Sequence, residues 1–388
     1  MINRLVSPSN NSSFFMFGAR GVGKTTYLRD QFFKNKPALS INLLEPKEYD
    51  IYLKNPDELF RRVAAISPSK NSQWVFIDEI QKLPSILDVV HTLIEEKRFL
   101  FALTGSSARK LKRGAANLLA GRAFVYHLFP LSFSELRNEF ELQSVLEWGS
   151  LPRVFELSGQ DKQEFLIAYT QTYLKEEILE EQIIRNIRPF RRFLEIAAQS
   201  SGQIINYSNI ARDCGSDPVS VQKYFQILED TLLGFHLEPF HESIRKRQRS
   251  NPKFYLFDLG VKRALDGTLG VSLIESTGAY GLSFEHLVIQ EIIRLSSYAR
   301  KNWKFSYLRT KDDAEVDLII DRPGLSRVAI EIKSSKLIRE SDMSSFAKIS
   351  KDIPNSKVYC LSRDPNRKKI EHIECLFWQE GIQSILEE

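Results

Sequence analysis

The sequence predicts an α/β fold, in which a parallel sheet forms the N-terminal domain and is followed by a helical region and a second α/β domain. Three observations lead to this prediction. Apolar, β-rich runs alternate with segments of helical period over residues 14–127, which is typical of a parallel sheet covered on both faces. A glycine-rich turn of the kind that holds phosphates joins the first run to the first helix. After Pro130 the strand signals stop and helical periodicity takes over.

The five apolar runs of the N-terminal region are the predicted strands, at residues 14–17, 38–43, 74–77, 100–104 and 124–128. Helices are predicted to begin at Lys24, Pro56, Ser85 and Ser107. In a sheet of this kind, ligands bind at the carboxyl ends of the strands. We therefore expect the functional residues in the segments that directly follow the strands.

The composition is that of a soluble, globular chain. Its 388 residues are 43% hydrophobic and 27% charged, which is enough for about two to three domains with buried cores. The formal net charge of +5 permits a nucleic-acid partner without requiring one. Cys214, Cys360 and Cys375 are far apart, so we expect no disulfide framework and no structural zinc site, and a cytoplasmic location. No segment approaches the length of a membrane span, so no membrane partner is expected.

The turn after the first strand carries the pattern G-x-x-x-x-G-K-[ST]. Its glycines allow successive backbone N–H groups to point at one anion. Lys24 is expected to reach the β- and γ-phosphates, and Thr25 to supply a hydroxyl ligand to Mg²⁺. The pattern therefore predicts a nucleotide, taken as ATP, bound with Mg²⁺. The expected binding residues here are Gly18, Ala19, Arg20, Gly21, Val22, Gly23, Lys24, Thr25 and Thr26.

Two carboxylates follow the third predicted strand, where a parallel sheet places ligands. Asp78 is expected to hold Mg²⁺, directly or through water, and Glu79 to orient the water that attacks ATP. An apolar run followed by Asp-Glu is also typical of a solvated strand end, so the interpretation depends on the phosphate loop. On the next strand, a hydroxyl near residues 104–107 is placed to reach the γ-phosphate or the lytic water.

Several segments together resemble the AAA+ ATPases of bacteria and archaea that carry a restriction-endonuclease-like C-terminal domain of unknown function. These segments are residues 18–25, 78–81, 103–111, 119–122 and 129–136. The resemblance implies that Thr104 or Ser106 reads the γ-phosphate. It also makes Arg109 and Arg122 candidates for stabilising charge, one of them across a subunit boundary as an arginine finger. A surface or lid salt bridge is the alternative for either arginine.

The middle of the chain is predicted to hold a helical lid and then a winged helix-turn-helix. Helical signals at residues 193–198 and 207–212 precede a turn, after which Asp217 is expected to cap a third helix that begins at Pro218. Two β runs, at residues 234–238 and 253–257, then flank the basic loop 245–249. Such a loop suits nucleic-acid phosphates, DNA rather than RNA, although winged helices also serve as protein-docking scaffolds.

The last third of the chain carries four spaced charged residues. Glu285 lies along an apolar stripe of a predicted helix, Asp317 lies in the strand after it, and Glu331 and Lys333 share one face of the next strand. This order resembles the PD-(D/E)xK nuclease core. The resemblance implies that Asp317 and Glu331 bind metal, that Lys333 positions water or phosphate, and that Glu285 is an auxiliary acid. Many proteins of this fold bind without cutting, so cleavage stays open.

These predictions combine into four domains. The P-loop NTPase (AAA+) core spans 1–130, the helical lid 131–188, the winged helix-turn-helix 189–252 and the PD-(D/E)xK-like α/β domain 253–388. The predicted function is ATP hydrolysis coupled to nucleic-acid binding or Mg²⁺-dependent phosphodiester cleavage. Two alternatives remain: a nucleotide-controlled switch that binds protein partners and does not cut, and a nuclease whose nucleotide pocket is only regulatory. The sequence leaves open a homo-oligomer, a protein partner and the pathway.

Overall fold

The computed structural model describes residues 2–33, 36–67, 69, 73–107, 121–173, 187–241, 251–310, 312 and 314–388. The chain divides into two compact units. The first comprises Met1–Leu131 together with Leu228–Leu233, and the second comprises Ser132–Ile227 together with Gly234–Glu388. In the part of the chain that is described, no helix is both long and apolar enough to cross a membrane.

A five-stranded sheet forms the centre of the first unit, and all its strand pairs are parallel. The spatial order is β2-β3-β4-β1-β5. The strands are β1 (Phe14–Phe17), β2 (Leu39–Asn42), β3 (Gln73–Asp78), β4 (Phe99–Gly105) and β5 (Phe124–His127). The five predicted strands and the parallel sheet are therefore confirmed.

The helices of the first unit connect these parallel strands. They are α1 (Lys24–Tyr27), which continues as a π-helical turn (Leu28–Phe32), α2 (Pro46–Lys54), α3 (Glu58–Ala64), a 3₁₀ turn (Ile80–Lys82) and α4 (Ile86–Glu95). The sequence pattern did not predict α2. The helix predicted from Ser107 falls mostly on residues 108–120, outside the described residues.

One face of the sheet is fully buried because the central strands carry apolar residues along it. Val75 and Ile77 of β3 and Phe101 and Leu103 of β4 are fully buried. They join one hydrophobic cluster with the inner faces of α2, α3 and α4. Burial of this kind fixes the carboxyl ends of β1, β3 and β4 side by side, which positions the polar residues that follow them.

The described residues of the second unit begin with a series of helices and helical turns. They are α5 (Phe133–Leu136), a 3₁₀ turn (Arg137–Glu139), α6 (Leu142–Trp148), α7 (Pro152–Phe155), α8 (Gln160–Ala168), a π-helical turn (Tyr169–Tyr173), α9 (Ile187–Gln199), α10 (Tyr207–Cys214) and α11 (Pro218–Asp230). The predicted cap is present, because Asp217 Oδ1 accepts the N–H groups of Val219 and Ser220, each at 3.0 Å.

An eight-stranded mixed sheet forms the rest of the second unit, in the order β12-β13-β11-β10-β9-β8-β6-β7. Its strands are β6 (Gly234–Pro239), β7 (Lys253–Leu256), β8 (Lys304–Arg309), β9 (Glu315–Asp321), β10 (Arg327–Lys333), β11 (Ser356–Ser362), β12 (Lys368–Ile370) and β13 (Ile373–Phe377). The sequence pattern did not predict β8, β12 or β13. The predicted ribbon exists as the antiparallel pair β6 and β7, and β6 also pairs in parallel with β8.

Four helices accompany this sheet: α12 (Leu259–Leu265), α13 (Gly278–Tyr298), α14 (Glu340–Ile349) and α15 (Trp378–Glu387), with a 3₁₀ turn (Ser350–Asp352) after α14. Thr277 caps α13, because its hydroxyl accepts the N–H of Tyr280 at 3.3 Å. One side of the sheet is apolar and packs on α14 in a cluster that contains Ile319, Ala329 and Phe346.

Candidate functional site

The phosphate-loop segment adopts the backbone that its glycines were expected to allow. Gly21 and Gly23 have φ values of 82° and 92°, a left-handed region that disfavours other residues. Gly18 is needed for another reason, because a Cβ there would collide with the carbonyl oxygen of Leu128. The loop can therefore fold tightly between β1 and α1 only with glycine at these positions.

Lys24 lies at the first position of α1 and is only 5% exposed. Its Nζ donates to the carbonyl oxygens of Gly18 at 2.7 Å and Ala19 at 3.2 Å. These partners belong to the loop itself, so the ammonium points into the concavity that the loop encloses. Of the other predicted loop residues, Ala19 and Val22 are buried, Arg20 is partly buried, and Thr25 and Thr26 are exposed.

Asp78 ends β3 and brings the phosphate loop together with β4. Thr25 Oγ1 donates to Asp78 Oδ2 at 2.8 Å, and Thr104 Oγ1 donates to Asp78 Oδ1. Burial raises the pKa of Asp78, while the hydrogen bonds from Thr104 and Thr25 lower it, and the net shift is upward. Thr25 and Asp78, the two predicted magnesium ligands of this domain, are thus adjacent.

Glu79 turns away from the strand because its backbone is left-handed, with φ 57° and ψ 47°. A non-glycine residue in this region is strained, and such strain is concentrated at functional sites. Glu79 N donates to Thr104 Oγ1 at 3.3 Å, and Glu79 Oε2 accepts hydrogen bonds from Gln81 Nε2 and from Ser106 Oγ at 3.3 Å. The two predicted sensor residues therefore donate to different carboxylates, since the hydroxyl of Thr104 donates to Asp78 and that of Ser106 donates to Glu79.

Two residues of this site were given no role by the sequence reading. Gln81 Nε2 also donates to Ser106 Oγ at 2.9 Å, so Gln81 ties the carboxylate to β4. Arg4 donates from Nη1 to the carbonyl oxygen of Val22 at 2.8 Å and from Nη2 to that of Phe129 at 2.6 Å. A polar residue two positions after the acidic pair was the available signal for Gln81. Arg4 carried none, because the fold alone brings it to the loop.

Of the two predicted arginine candidates, only Arg122 is among the described residues, and it is not brought to this cluster. Arg122 forms an exposed ion pair with Glu95, and Arg122 lowers the pKa of that carboxyl through a hydrogen bond. Pairs of this kind contribute little to stability. Arg109 lies outside the described residues, as does the basic loop 245–249.

In the second unit, Glu285 of α13 lies against β7. Its Oε1 accepts from Tyr255 Oη at 3.0 Å and from Lys253 Nζ at 3.3 Å. Lys253 also pairs with Glu315 of β9. Burial would lower the pKa of Lys253, but the charges of Glu285, Glu315 and Asp317 outweigh burial and raise it. The lysine is therefore a permanent cation held among carboxylates.

Asp317, Glu331 and Lys333 come together where β9 meets β10. The register that pairs Leu318 with Ile330 brings Asp317 beside Glu331. Asp317 Oδ2 accepts the N–H of Ile332 at 2.7 Å, and Lys333 Nζ pairs with Glu331 Oε1 at 2.6 Å. We call Lys253, Glu285, Glu315, Asp317, Glu331 and Lys333 the carboxylate cluster.

Burial and repulsion between like charges raise the pKa values of two acids in the carboxylate cluster. Burial, Glu331 and Glu285 raise the pKa of Asp317 well above its usual range. Burial also raises the pKa of Glu331, although Lys333 opposes this shift, and Glu331 Oε2 is buried without a hydrogen-bond partner. Among the residues that are described, no three His, Cys, Asp or Glu side chains are grouped closely enough to hold a metal ion by themselves. Two carboxylates with water and phosphate oxygens would be a sufficient set for Mg²⁺, which keeps several waters.

The sequence reading predicted four members of the carboxylate cluster and missed Lys253 and Glu315, as well as the associated Tyr255. Period-two alternation places Lys253 and Tyr255 on the same face of β7, so a shared role was visible in principle. The sequence does not show that both residues contact Glu285, because β7 and α13 are separate segments that meet only in the folded unit.

Three family profiles match consecutive parts of the chain. Residues 10–137 match an AAA domain, residues 139–272 a domain of unknown function (DUF8612) and residues 280–378 a domain of unknown function (DUF4143). The AAA match contains the phosphate loop, Asp78, Glu79 and Ser106. The DUF4143 match contains Glu285, Asp317, Glu331 and Lys333, so the restriction-endonuclease-like identity of this region stays a prediction.

The chain is also similar to several uncharacterized proteins. One from Mycobacterium tuberculosis is 27% identical over 257 residues, which cover 65% of this chain and 57% of the relative. One from Methanocaldococcus jannaschii is 25% identical over 373 residues, which cover 87% of this chain and 78% of the relative. The chain thus spans somewhat more than half the length of the mycobacterial relative.

Among solved structures, two similar chains are the ORC1 protein of Aeropyrum pernix, in complex with DNA, and a DNA polymerase III gamma subunit-related protein of Thermotoga maritima. Both are 13% identical, with TM-scores of 0.26 and 0.27. They cover 66% and 73% of this chain, and 86% and 95% of their own. Scores this low support no argument about function. The profile match and the phosphate-loop geometry nevertheless agree that residues 10–137 resemble an AAA domain.

Proposed function

We propose that the AAA domain binds ATP with Mg²⁺ and hydrolyses it. The observation that carries this proposal is the pair of linked contacts at the ends of β3 and β4. One contact joins the loop hydroxyl of Thr25 to Asp78, and the other holds Glu79 by Gln81 and Ser106. Asp78, which would bind the metal together with Thr25, and Glu79, which would orient water, are thus consecutive residues beside the phosphate loop. Phosphoryl transfer requires both groups close to the phosphates.

The loop residues supply the binding chemistry. Lys24 already points into the loop, and its bonds to two loop carbonyls can be exchanged for bonds to phosphate oxygens. The oxygen donors Thr25 Oγ1 and Asp78 Oδ2 are of the type that Mg²⁺ prefers. When bound, the cation neutralises charge on the β- and γ-phosphates.

Glu79 is proposed to orient the attacking water. The left-handed backbone of Glu79 aims its side chain, and Gln81 and Ser106 hold its Oε2. Its other oxygen is then available to accept a proton from water. Ser106 contacts this carboxylate and is our preferred γ-phosphate sensor, whereas Thr104 fixes Asp78.

The test is Mg²⁺-dependent ATP hydrolysis by the full chain. Lys24→Ala is expected to abolish nucleotide binding, and Glu79→Gln to retain binding but lose turnover by roughly 100-fold or more. Glu96→Gln, which changes an exposed glutamate of the same unit, is the matched control and should hydrolyse ATP normally. Unchanged turnover in Glu79→Gln would refute the role of Glu79. Tight binding without any turnover in the wild type would favour a purely regulatory pocket.

We further propose that the carboxylate cluster binds Mg²⁺ and cleaves phosphodiester bonds. Its support is the oxygen of Glu331 that has no hydrogen-bond partner, together with the raised pKa of Asp317, because both indicate that the two lysines do not fully compensate the buried negative charge. The cluster contains four carboxylates and two lysines, so its formal charge is −2 when all are ionised, which one divalent cation would neutralise. Lys333 has 37% of its side chain exposed, so a phosphate that approaches the cluster from solvent can reach it.

Cleavage is tested on linear DNA with Mg²⁺, with and without ATP. Lys333→Ala should leave the DNA intact, while Lys336→Ala, which removes a neighbouring exposed lysine paired with Glu275, should cut as the wild type does. ATP-dependent cutting would support coupling between nucleotide state and the cluster. Intact DNA under all conditions would favour the alternative, a nucleotide-controlled switch that binds protein partners.

Helices α9 to α11 and the ribbon of β6 and β7 are proposed as the nucleic-acid-binding element. The basic residues 245–249, which lie between these two strands in the sequence and outside the described residues, are expected to add positive charge to it. A three-helix arrangement followed by an antiparallel pair supports this assignment. Binding to duplex DNA should weaken steeply between 50 and 200 mM salt if phosphates are the contacts. Absence of DNA binding at low salt would favour a protein-docking role for this element.

A further inference from the structure

A cavity of about 360 Å³ lies in the second unit between α12 and the first turns of α13. It is bounded on one side by the segment that joins these two helices. Leu259, Leu273 and Leu282 give it an apolar wall, and Arg263 contributes a charged one. This volume is near the lower end for small-ligand sites, so it would suit a small molecule.

Arg263 is buried in this wall with only 3% of its surface exposed. One terminal nitrogen, Nη2, donates to the carbonyl oxygens of Thr268, at 2.6 Å, and of Val271. Its Nε is buried and has no hydrogen-bond partner. Within the described ranges, no carboxylate lies at ion-pair distance from Arg263, and the nearby Asp266 is taken by Lys262 at 2.6 Å.

A buried guanidinium without a carboxylate is costly. Burial lowers the pKa of Arg263, and the charges of Glu147 and Asp266 only partly oppose that effect. The two carbonyl bonds give Arg263 a role in shaping the loop before α13, but they use a single nitrogen. The guanidinium has five N–H groups, and the described residues supply no acceptor for the one at Nε.

The N-terminus of α13 opens on the same cavity. Thr277, which caps this 21-residue helix, and Ala279 in its first turn both line the cavity. The first N–H groups of a helix lack intrahelical partners, and the helix dipole adds positive potential there. The first turn of α13 contains no acidic residue that would cancel this potential. Two independent features, Arg263 and the helix N-terminus, thus favour negative charge in one place.

We propose that this cavity binds a small organic carboxylate, with its carboxylate at Arg263 and the α13 N-terminus and its apolar part against Leu259 and Leu282. A single uncompensated guanidinium matches a monoanion. The apolar wall favours a hydrocarbon chain over the strongly hydrated phosphate ion. The site is independent of the proposed ATP and nuclease functions.

The first test uses butanoate and hexanoate as probes on the full chain, with binding followed by calorimetry or ligand-observed NMR. Hexanoate is expected to bind more tightly than butanoate, by roughly fourfold for each added methylene. Hexanol and inorganic phosphate separate the two halves of the interaction, and both should bind at least about tenfold more weakly than hexanoate. Equal binding of hexanol, tighter binding of phosphate, or no binding of hexanoate would overturn the proposal.

Variants then locate the site. Arg263→Gln should weaken hexanoate binding on the order of 10- to 100-fold, the range for a hydrogen bond to a charged group, while Arg212→Gln, an exposed arginine of the same unit, should not. If Arg263→Gln does not fold, Ala279→Glu keeps the test decisive. This change places a carboxylate at the exposed first turn of α13, where acids stabilise helices, so the chain should fold. It should abolish hexanoate binding, whereas Ala279→Gln, which introduces a side chain of the same size as glutamate without its charge, should bind hexanoate at least about tenfold more tightly than Ala279→Glu does. Equal binding by both variants would overturn the proposal.

Discussion

Glu291 provides a stability prediction whose sign and size follow from the structure. This carboxyl of α13 is 1% exposed, its Oε2 accepts the N–H of Phe133 at 3.1 Å, and its Oε1 accepts from Arg294 at 3.3 Å. Arg294 also donates to Ser150 Oγ and to the carbonyl oxygen of Phe257, so it is shared among several acceptors. Burial raises the pKa of Glu291 to about 7, although Arg294 and the Phe133 N–H oppose the shift.

A raised carboxyl pKa stabilises the folded state at low pH and costs stability at high pH. Between the unfolded value of 4.5 and the folded value of about 7, the folded chain holds a proton that the unfolded chain has lost. Glu291 therefore lowers the free energy of unfolding as pH rises, by about 2.5 kcal/mol between pH 5 and pH 8. His286 acts in the opposite sense, because burial lowers its pKa to about 3, so its contribution is lost as pH falls.

The opposing histidine makes a comparison with Glu291→Gln necessary. Urea unfolding at pH 5 and pH 8 gives the free energy of unfolding of each protein. Relative to the wild type, Glu291→Gln should gain about 2.5 kcal/mol of stability on going from pH 5 to pH 8, since every other titrating group cancels. The exposed Glu380→Gln serves as control and should follow the wild-type profile. Parallel profiles for Glu291→Gln and the wild type would refute the assigned burial cost.

Two further predictions concern the functional residues. Gly18→Ala should weaken ATP binding and lower the melting temperature, because the new Cβ would collide with the carbonyl oxygen of Leu128. That oxygen belongs to the backbone and cannot move without shifting the loop. Unchanged nucleotide affinity in a fluorescence titration would contradict this prediction. Asp317→Asn should raise the melting temperature in metal-free buffer, because it removes a buried carboxyl whose ionised form is disfavoured by burial and by Glu331. It should also abolish any stabilisation by Mg²⁺, and a variant that Mg²⁺ stabilises as much as it does the wild type would show that Asp317 is not a ligand.

The sequence predicts the parallel sheet, the phosphate loop and the residue types at the strand ends, although it does not indicate α2, β8, β12 or β13. Phosphate-loop glycines, Lys24 and the acidic pair Asp78 and Glu79 are local signals, because a strand, a tight turn and a helix dictate their arrangement within a few residues. The parallel sheet followed from alternation of apolar runs with helices. The alternation of Glu331 and Lys333 along one strand likewise placed both on one face before any fold was known.

Which residues distant in sequence contact each other depends on the tertiary structure. Arg4 reaches the phosphate loop, and Lys253 and Tyr255 reach Glu285, because chain segments far apart in sequence pack side by side. Burial decided the rest: Arg263 and Glu291 look like ordinary surface charges in the sequence, and their significance arises because the fold removes them from water. Local patterns encode conformation and residue chemistry, whereas desolvation and long-range contact exist only once the whole chain has folded.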